Sequence, residues 1–320
     1  MAGADPARTL VVVGPTASGK TALVEALAAH LPVTVVSADA RQVYRGLDIG
    51  TAKPAAETLR RVPHRGIDVV EVGERYSAGR FAAEAAGWIA EIRSAGRTPV
   101  VVGGTGFYVR ALGEGLFREP PLDAGRREAL REWTARLESP ALARWAGRLD
   151  AAFGGGGRQR AARAVEVALL TGRPLSHWQR VARETGAIRP WYILLTLPRD
   201  VLHRRIAGRV DAMLAAGLED EVRRVLATGA APGTPGLDAV GYREVLAVLA
   251  GTLPRERLRE AIVVATRQYA KRQETWFNNQ VSGVRGQGAV APVWKLDATQ
   301  SPTELARLVH ERWSSLTPDP

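Results

Sequence analysis

The 320-residue chain contains no cysteine, which removes disulfides, thiolate–zinc sites and cysteine nucleophiles from consideration. Its histidines, His30, His64, His177, His203 and His310, are scattered without metal-ligand spacing. No apolar run approaches the roughly 20 residues that a membrane-spanning helix needs, and Met1 to Arg8 lack the apolar core of a secretion signal. A cytoplasmic protein with no membrane association is therefore expected. Lysine is scarce, occurring only as Lys20, Lys53, Lys271 and Lys295, so arginine supplies nearly all the positive charge. A genome rich in G and C explains that bias. It does not explain Lys20, which stands where a compact, flexible ammonium is wanted rather than a planar fork. The net charge of +11 exceeds what solubility requires and points to a polyanionic partner such as nucleic acid. A membrane surface is the weaker alternative, because no basic amphipathic helix stands apart from the folded pattern.

What the chain does have is a complete phosphate-binding loop, Gly14-Pro15-Thr16-Ala17-Ser18-Gly19-Lys20-Thr21. A β-branched apolar run, Leu10 to Val13, leads into it, and an Ala/Leu-rich helical pattern starts inside it. Backbone N–H groups of the glycine turn and the helix N-terminus point at an anion, Lys20 adds a charge, and the Thr21 hydroxyl can hold Mg²⁺. A di- or triphosphate fits this cradle. The loop alone does not say which one, nor whether it is a donor, a leaving group or a regulator.

Short β-branched runs alternate with helical patterns: strands at Thr9 to Val13, Val33 to Ser37, Ile67 to Val72 and Thr98 to Val102, helices at Lys20 to His30, Ala78 to Ala95 and Phe107 to Gly113. This is the pattern of an α/β fold, a P-loop NTPase-like parallel sheet flanked by helices. From Pro120-Pro121 to Gly186 strand signals vanish and the text is helical and arginine-rich, which predicts an inserted all-helical domain over 120–186 between core segments 1–119 and 187–320. The core pattern resumes with a strand at Trp191 to Leu197 and a helix from Pro198. A long helix over Arg255 to Phe277, an edge strand at Val293 to Leu296 and a closing helix at Pro302 to Ser314 follow.

Enzymes that hydrolyse ATP on such a loop usually add an apolar strand ending in Asp. Here the corresponding strand, Pro99 to Val102, runs into Gly103-Gly104-Thr105-Gly106, which argues against a motor or ATPase. Asp39 follows the second strand, and in a doubly wound sheet the strand ends open on one crevice. Its carboxylate can serve as a general base, help hold Mg²⁺, or simply cap the turn that starts at Ala40. Within Asp238 to Arg243, Tyr242 beside Arg243 can stack on a base or anchor the turn as a buried tyrosine. Spacing alone does not single out Arg209 among the arginines of its helix.

Longer blocks add specificity: Ser37 to Pro54 (SADARQVYRGLDIGTAKP), Tyr76 to Phe81, Val102 to Tyr108, Arg163 to Val167, Val240 to Glu244 and Thr266 to Gln273. In this order they resemble the tRNA dimethylallyltransferase family, also called tRNA isopentenyltransferases. The resemblance implies transfer of a dimethylallyl group from dimethylallyl diphosphate to N6 of adenosine 37, beside the anticodon, with Mg²⁺ as cofactor. It implies that residues 14–21 hold the donor's diphosphate, that Thr21 contacts Mg²⁺, that Asp39 is the general base, and that Thr16 and Arg209 assist the leaving group. It places tRNA contacts at Asp39, Ala40, Arg41, Gln42, Thr105 and Arg127, at Gln159, Arg160, Ala161, Ala162 and Arg163, and at Asp238, Ala239, Val240, Gly241, Tyr242 and Arg243. The basic insert would grip the anticodon stem-loop through its phosphates. The protein is expected to act as a monomer. Two departures stand out: Ala40 where the family commonly has Ser, and Gly154 to Gly157 in place of a His-Pro-Asn-Asp-like stretch. A prenyltransferase for free adenine nucleotides, a small-molecule kinase and a non-catalytic RNA-binding protein are the competing functions.

Overall fold

The computed structural model describes residues 7–117, 122–181, 185–281 and 293–316. Six strands form one parallel sheet: β1 (Arg8–Val13), β2 (Val33–Ser37), β3 (His64–Arg65), β4 (Thr98–Gly103), β5 (Arg189–Thr196) and β6 (Val293–Asp297), in the order β3-β2-β4-β1-β5-β6. The run Leu10 to Val13 is fully buried, as expected of a central parallel strand covered on both faces, and this is why it reads as continuously apolar rather than alternating. The helices are α1 (Lys20–Leu27), α2 (Ala56–Arg61), α3 (Ala78–Ser94), α4 (Gly106–Glu114), α5 (Ala124–Arg136), α6 (Ser139–Leu149), α7 (Arg158–Thr171), α8 (Leu175–Val181), α9 (Arg199–Ala215), α10 (Leu218–Ala227), α11 (Tyr242–Leu249), α12 (Leu258–Val281) and α13 (Pro302–Leu316).

One expected element is displaced. Residues 67–72 do not form a strand; the third strand is the two-residue β3, paired with Val35 and Val36. Asp68 adopts φ 54°, outside the extended region, and although residues 68–70 exchange four backbone hydrogen bonds with residues 42–45, they form no more than an isolated bridge, Tyr44 with Val70. A left-handed residue inside the run interrupts the two-residue alternation a strand requires.

The chain divides into two compact units, Met1–Gly113 with Ala187–Pro320, and Glu114–Gly186. In the first, Leu10, Val12, Leu23, Leu27, Ile193 and Val309 pack α1 and α13 on the sheet. A second cluster, including Val43, Leu47, Val210, Val222, Tyr242 and Ile262, fixes the segment after β2 against α9 to α12. The second unit is helical; Leu142, Ala146, Ala161, Ala164, Val165 and Val167 form its core. The helical stretch expected over 120–186 lies within it. There, buried Glu166 accepts hydrogen bonds from Arg127 (2.9 Å) and Arg163 and pairs with Arg131 (3.4 Å), and Arg158 donates to the last carbonyls of α5 at Thr134 (2.7 Å) and Ala135 (2.8 Å). Gly157 leads directly into α7, leaving Gln159 and Arg160 exposed on its first turn.

Candidate active site

The carboxyl ends of β1, β2 and β4 lie side by side, and each delivers one part of the site. From β1 comes the phosphate loop, from β2 Asp39, and from β4 the turn Gly103-Gly104-Thr105. The approach of these segments is close enough to dictate glycine. A Cβ on Gly103 would lie 2.1 Å from the Ala38 carbonyl oxygen, and one on Gly104 would lie 2.1 Å from Gln273 Nε2. The Ala38 carbonyl accepts from Thr105 N–H (3.2 Å), and Thr105 Oγ1 accepts from Ala40 N–H (2.9 Å), so the β4 turn brackets Asp39 on both sides.

Within the loop, Lys20 Nζ donates to the carbonyls of Gly14 (3.0 Å) and Pro15 (2.7 Å). Burial, aided by the positive charge of Arg209 and opposed by Asp39, lowers the Lys20 pKa to about 7. Burial also lowers the pKa of Arg209, against the pull of Asp39 and Tyr269. Two cations thus share a desolvated region with one carboxylate. Ser18 Oγ is buried and has no hydrogen-bond partner. Converging positive charge is the feature an anion would satisfy, and a diphosphate supplies the counter-charge and the acceptors.

Two sizeable cavities, besides a small one of about 50 Å³, open onto this centre. One, of about 400 Å³, is lined by Thr16, Gly19, Lys20, Thr21, Gly104, Arg205 and Gln273, the other, of about 260 Å³, by Arg41, Val210, Met213, Asp238, Val240, Ile262 and Arg272. Thr16, Asp39, Thr51, Arg209 and Tyr269 line both. Asp39 therefore stands at their junction. Its Oδ1 accepts from Arg41 N–H (2.8 Å), so the residue caps its own turn and also faces ligand space. Tyr269, hydrogen-bonded to Thr105, has its pKa pushed up to about 12 by burial and by Asp39 and stays a neutral phenol at working pH.

Comparison with known proteins places the chain in a family. The family described as IPP transferase matches residues 42–280. A tRNA dimethylallyltransferase of Halorhodospira halophila is 46% identical over 286 residues, covering 87% of this chain and 92% of that protein. The corresponding protein of Alkalilimnicola ehrlichii is 44% identical over 287 residues, covering 85% and 87%. The crystal structure of the full-length tRNA isopentenylpyrophosphate transferase of Bacillus halodurans is 33% identical, with a TM-score of 0.66, covering 98% of this chain and 99% of that one. This chain belongs to the tRNA dimethylallyltransferase family.

The family's expected positions fall into distinct physical settings in this member. Asp39, Arg41, Asp238, Ala239, Val240 and Arg243 line the second cavity, Gln42 the first, and Thr105 supports the centre through Ala40. Gln42 is turned inward: its carbonyl oxygen accepts from Ser37 Oγ (2.9 Å) and its amide donates to the carbonyls of Thr51 (3.4 Å) and Ala52 (3.2 Å). Tyr242 is fully buried and donates to Glu221 Oε1 (2.7 Å), a carboxylate that also accepts from the N–H groups of Asp48, Ile49 and Gly50. Of the two alternatives for this ring, the structure shows the buried anchor: core packing covers both of its faces. Gly241 is also buried. Arg127, Gln159, Arg160, Ala161, Ala162 and Arg163 belong to the helical unit, where the Ala161 side chain is buried in the core.

Thr51, Tyr269 and Gln273 line the centre although motif reading assigned them no role. Tyr269 and Gln273, four residues apart, share one face of α12 with Thr266 and Ile262. A polar side chain at the end of an apolar stripe is the signal that marks them. Among the described residues no group of three or more Asp, Glu or His is placed to hold a metal. The Thr21 hydroxyl lines the first cavity, where it could meet a hard cation brought in by phosphate oxygens.

Proposed function

We propose that this protein transfers a dimethylallyl group from dimethylallyl diphosphate to N6 of adenosine 37 of tRNA. The observation that carries the reading is the meeting, at Asp39, of a cavity lined by the phosphate loop and a partly apolar one. The donor's diphosphate fits the first, where Ala17, Gly19, Lys20 and Thr21 offer backbone N–H groups and Lys20 its ammonium. Arg209 supports it from the facing helix α9. A flipped-out adenine fits the second, against Val210, Met213, Val240 and Ile262, as a base must leave its stack for chemistry at its edge.

The exocyclic amine is a weak nucleophile because its lone pair is delocalised into the ring. As the N6–C1 bond forms, the C1–O bond to diphosphate breaks, and the N6 proton passes to Asp39. Lys20, Arg209 and the loop N–H groups stabilise the charge that develops on the leaving oxygen. When bound, Mg²⁺ would screen the diphosphate's charge, with Thr21 among its ligands. The arginines of the helical unit, Arg127, Arg160 and Arg163 among them, hold the anticodon stem-loop through its phosphates. The protein is read as a cytoplasmic monomer; no helix among the described residues is long and apolar enough to cross a membrane.

Incubation with labelled dimethylallyl diphosphate and either an anticodon stem-loop or free AMP and ADP tests the reading. Mass spectrometry of digested nucleosides should find the prenyl group on adenosine 37 of the stem-loop. Preferential labelling of free nucleotide, or phosphoryl transfer from ATP, would overturn it.

A further inference from the structure

Gln273 is buried on α12, and its carboxamide is fully directed at backbone. Oε1 accepts from the Thr16 N–H (2.8 Å), 257 residues away in sequence, and Nε2 donates to the Gly104 carbonyl (2.9 Å). Gly104 has no side chain at the point where a Cβ would occupy the amide's position. In a phosphate loop the backbone N–H groups are ordinarily kept for the anion. Here the one at Thr16 is committed to a side chain from a distant helix. The next residue, Ala17, holds a left-handed φ of 64°, unfavourable for a residue with a Cβ, and packs against Leu202, Ile206 and Ala270 of α9 and α12. The apex of the loop is therefore not shaped by its own sequence alone.

We infer that Gln273 is a positioning residue for the departing diphosphate: its amide ties the loop apex to the turn after β4 and sets where Thr16 meets the donor. The inference deepens the proposed prenyl transfer and rests on that reading for the identity of the donor. An amide is suited to the task because one end must accept and the other donate, and it carries no charge into a cavity built for an anion. Neither a glutamate nor a methionine of similar length meets all three requirements.

Gln273→Glu makes the idea testable through pH. Ionised, the carboxylate still accepts from Thr16, but it repels the Gly104 carbonyl and the incoming diphosphate. Protonated, it can donate to Gly104 as the amide does. Relative to wild type at the same pH, the KM for dimethylallyl diphosphate should rise roughly ten-fold near pH 8 and return towards the wild-type value only as the introduced carboxyl protonates at lower pH. The KM for the stem-loop should stay within about two-fold. Gln273→Met, which keeps bulk but lacks both bonds, should weaken binding of magnesium diphosphate by a similar factor in calorimetry at any pH. Donor KM and diphosphate affinity within about two-fold of wild type in these variants would overturn the inference. So would a parallel rise of both KM values in step with lost thermal stability, the signature of a purely structural role. Calorimetry with diphosphate needs no turnover, so a wild-type protein that binds diphosphate but prenylates nothing sinks the functional reading and leaves this test standing.

Discussion

At the scale of single residues, Asp39 and Lys20 carry the clearest expectations. Asp39→Asn removes the proton acceptor while keeping a side chain that can accept from Arg41 N–H. Single-turnover rates should fall about 10²- to 10⁴-fold with the stem-loop dissociation constant nearly unchanged. Turnover close to wild type would falsify the base assignment. Lys20 has its pKa depressed to about 7, first by burial and then by Arg209. In the free protein its ammonium is therefore fully present only below that value and is lost as pH rises through it. A bound diphosphate favours the charged form and raises the pKa again, so binding near pH 7 to 8 should take up protons and weaken as pH increases. Titration calorimetry in two buffers of different ionisation enthalpy reads the uptake directly. A buffer-independent enthalpy there would show that the lysine is already charged.

At the scale of elements, the segment after β2 is held by a side chain that its own sequence does not contain. Glu221 of α10 accepts three backbone N–H groups from residues 48–50 and the Tyr242 hydroxyl of α11. Burial and the adjoining Glu221 push the Tyr242 pKa well above its ordinary value, so the phenol remains a donor across the working range. Tyr242→Phe should lower stability by about 1 kcal/mol, seen as a reduced Tm, with little change in stem-loop affinity. The reverse outcome, weak RNA binding at unchanged Tm, would restore the stacking role. The strand misplaced by sequence reading belongs to this scale too. Residues 67–72 have the apolar composition of a strand, but pairing with β2 is decided at His64 and Arg65, where the backbone reaches Val35 and Val36. Composition reports that its apolar side chains are half-buried, with Val70 in the core, and not its hydrogen-bond partner.

At the scale of the whole molecule, the net charge of +11 is unevenly useful. Many arginines are spent on local pairs, such as Arg259 with Asp211 (2.6 Å) and Arg204 with Asp200 (2.7 Å), and Arg158 caps carbonyls. The remainder should still make stem-loop binding strongly salt-dependent. Between about 50 and 200 mM salt its affinity should fall by orders of magnitude, and donor affinity by far less. Equal slopes for the two ligands, measured by fluorescence anisotropy and calorimetry, would show that the basic surface does not engage phosphates. The phosphate loop, the parallel sheet and the arginine-rich helical stretch were legible in the sequence because each is written in contiguous residues: a fixed eight-residue spacing, buried β-branched runs, a local change of composition. Which polar groups meet a ligand and which meet backbone was decided only by tertiary structure. Gln42 and Tyr242 turn inward, Gln273 reaches a loop 257 residues away, and Asp39 is both cap and cavity wall. Periodicity and motif spacing encode what neighbours along the chain can do. A hydrogen bond's far partner depends on how the elements pack, and that is fixed by burial of the whole core.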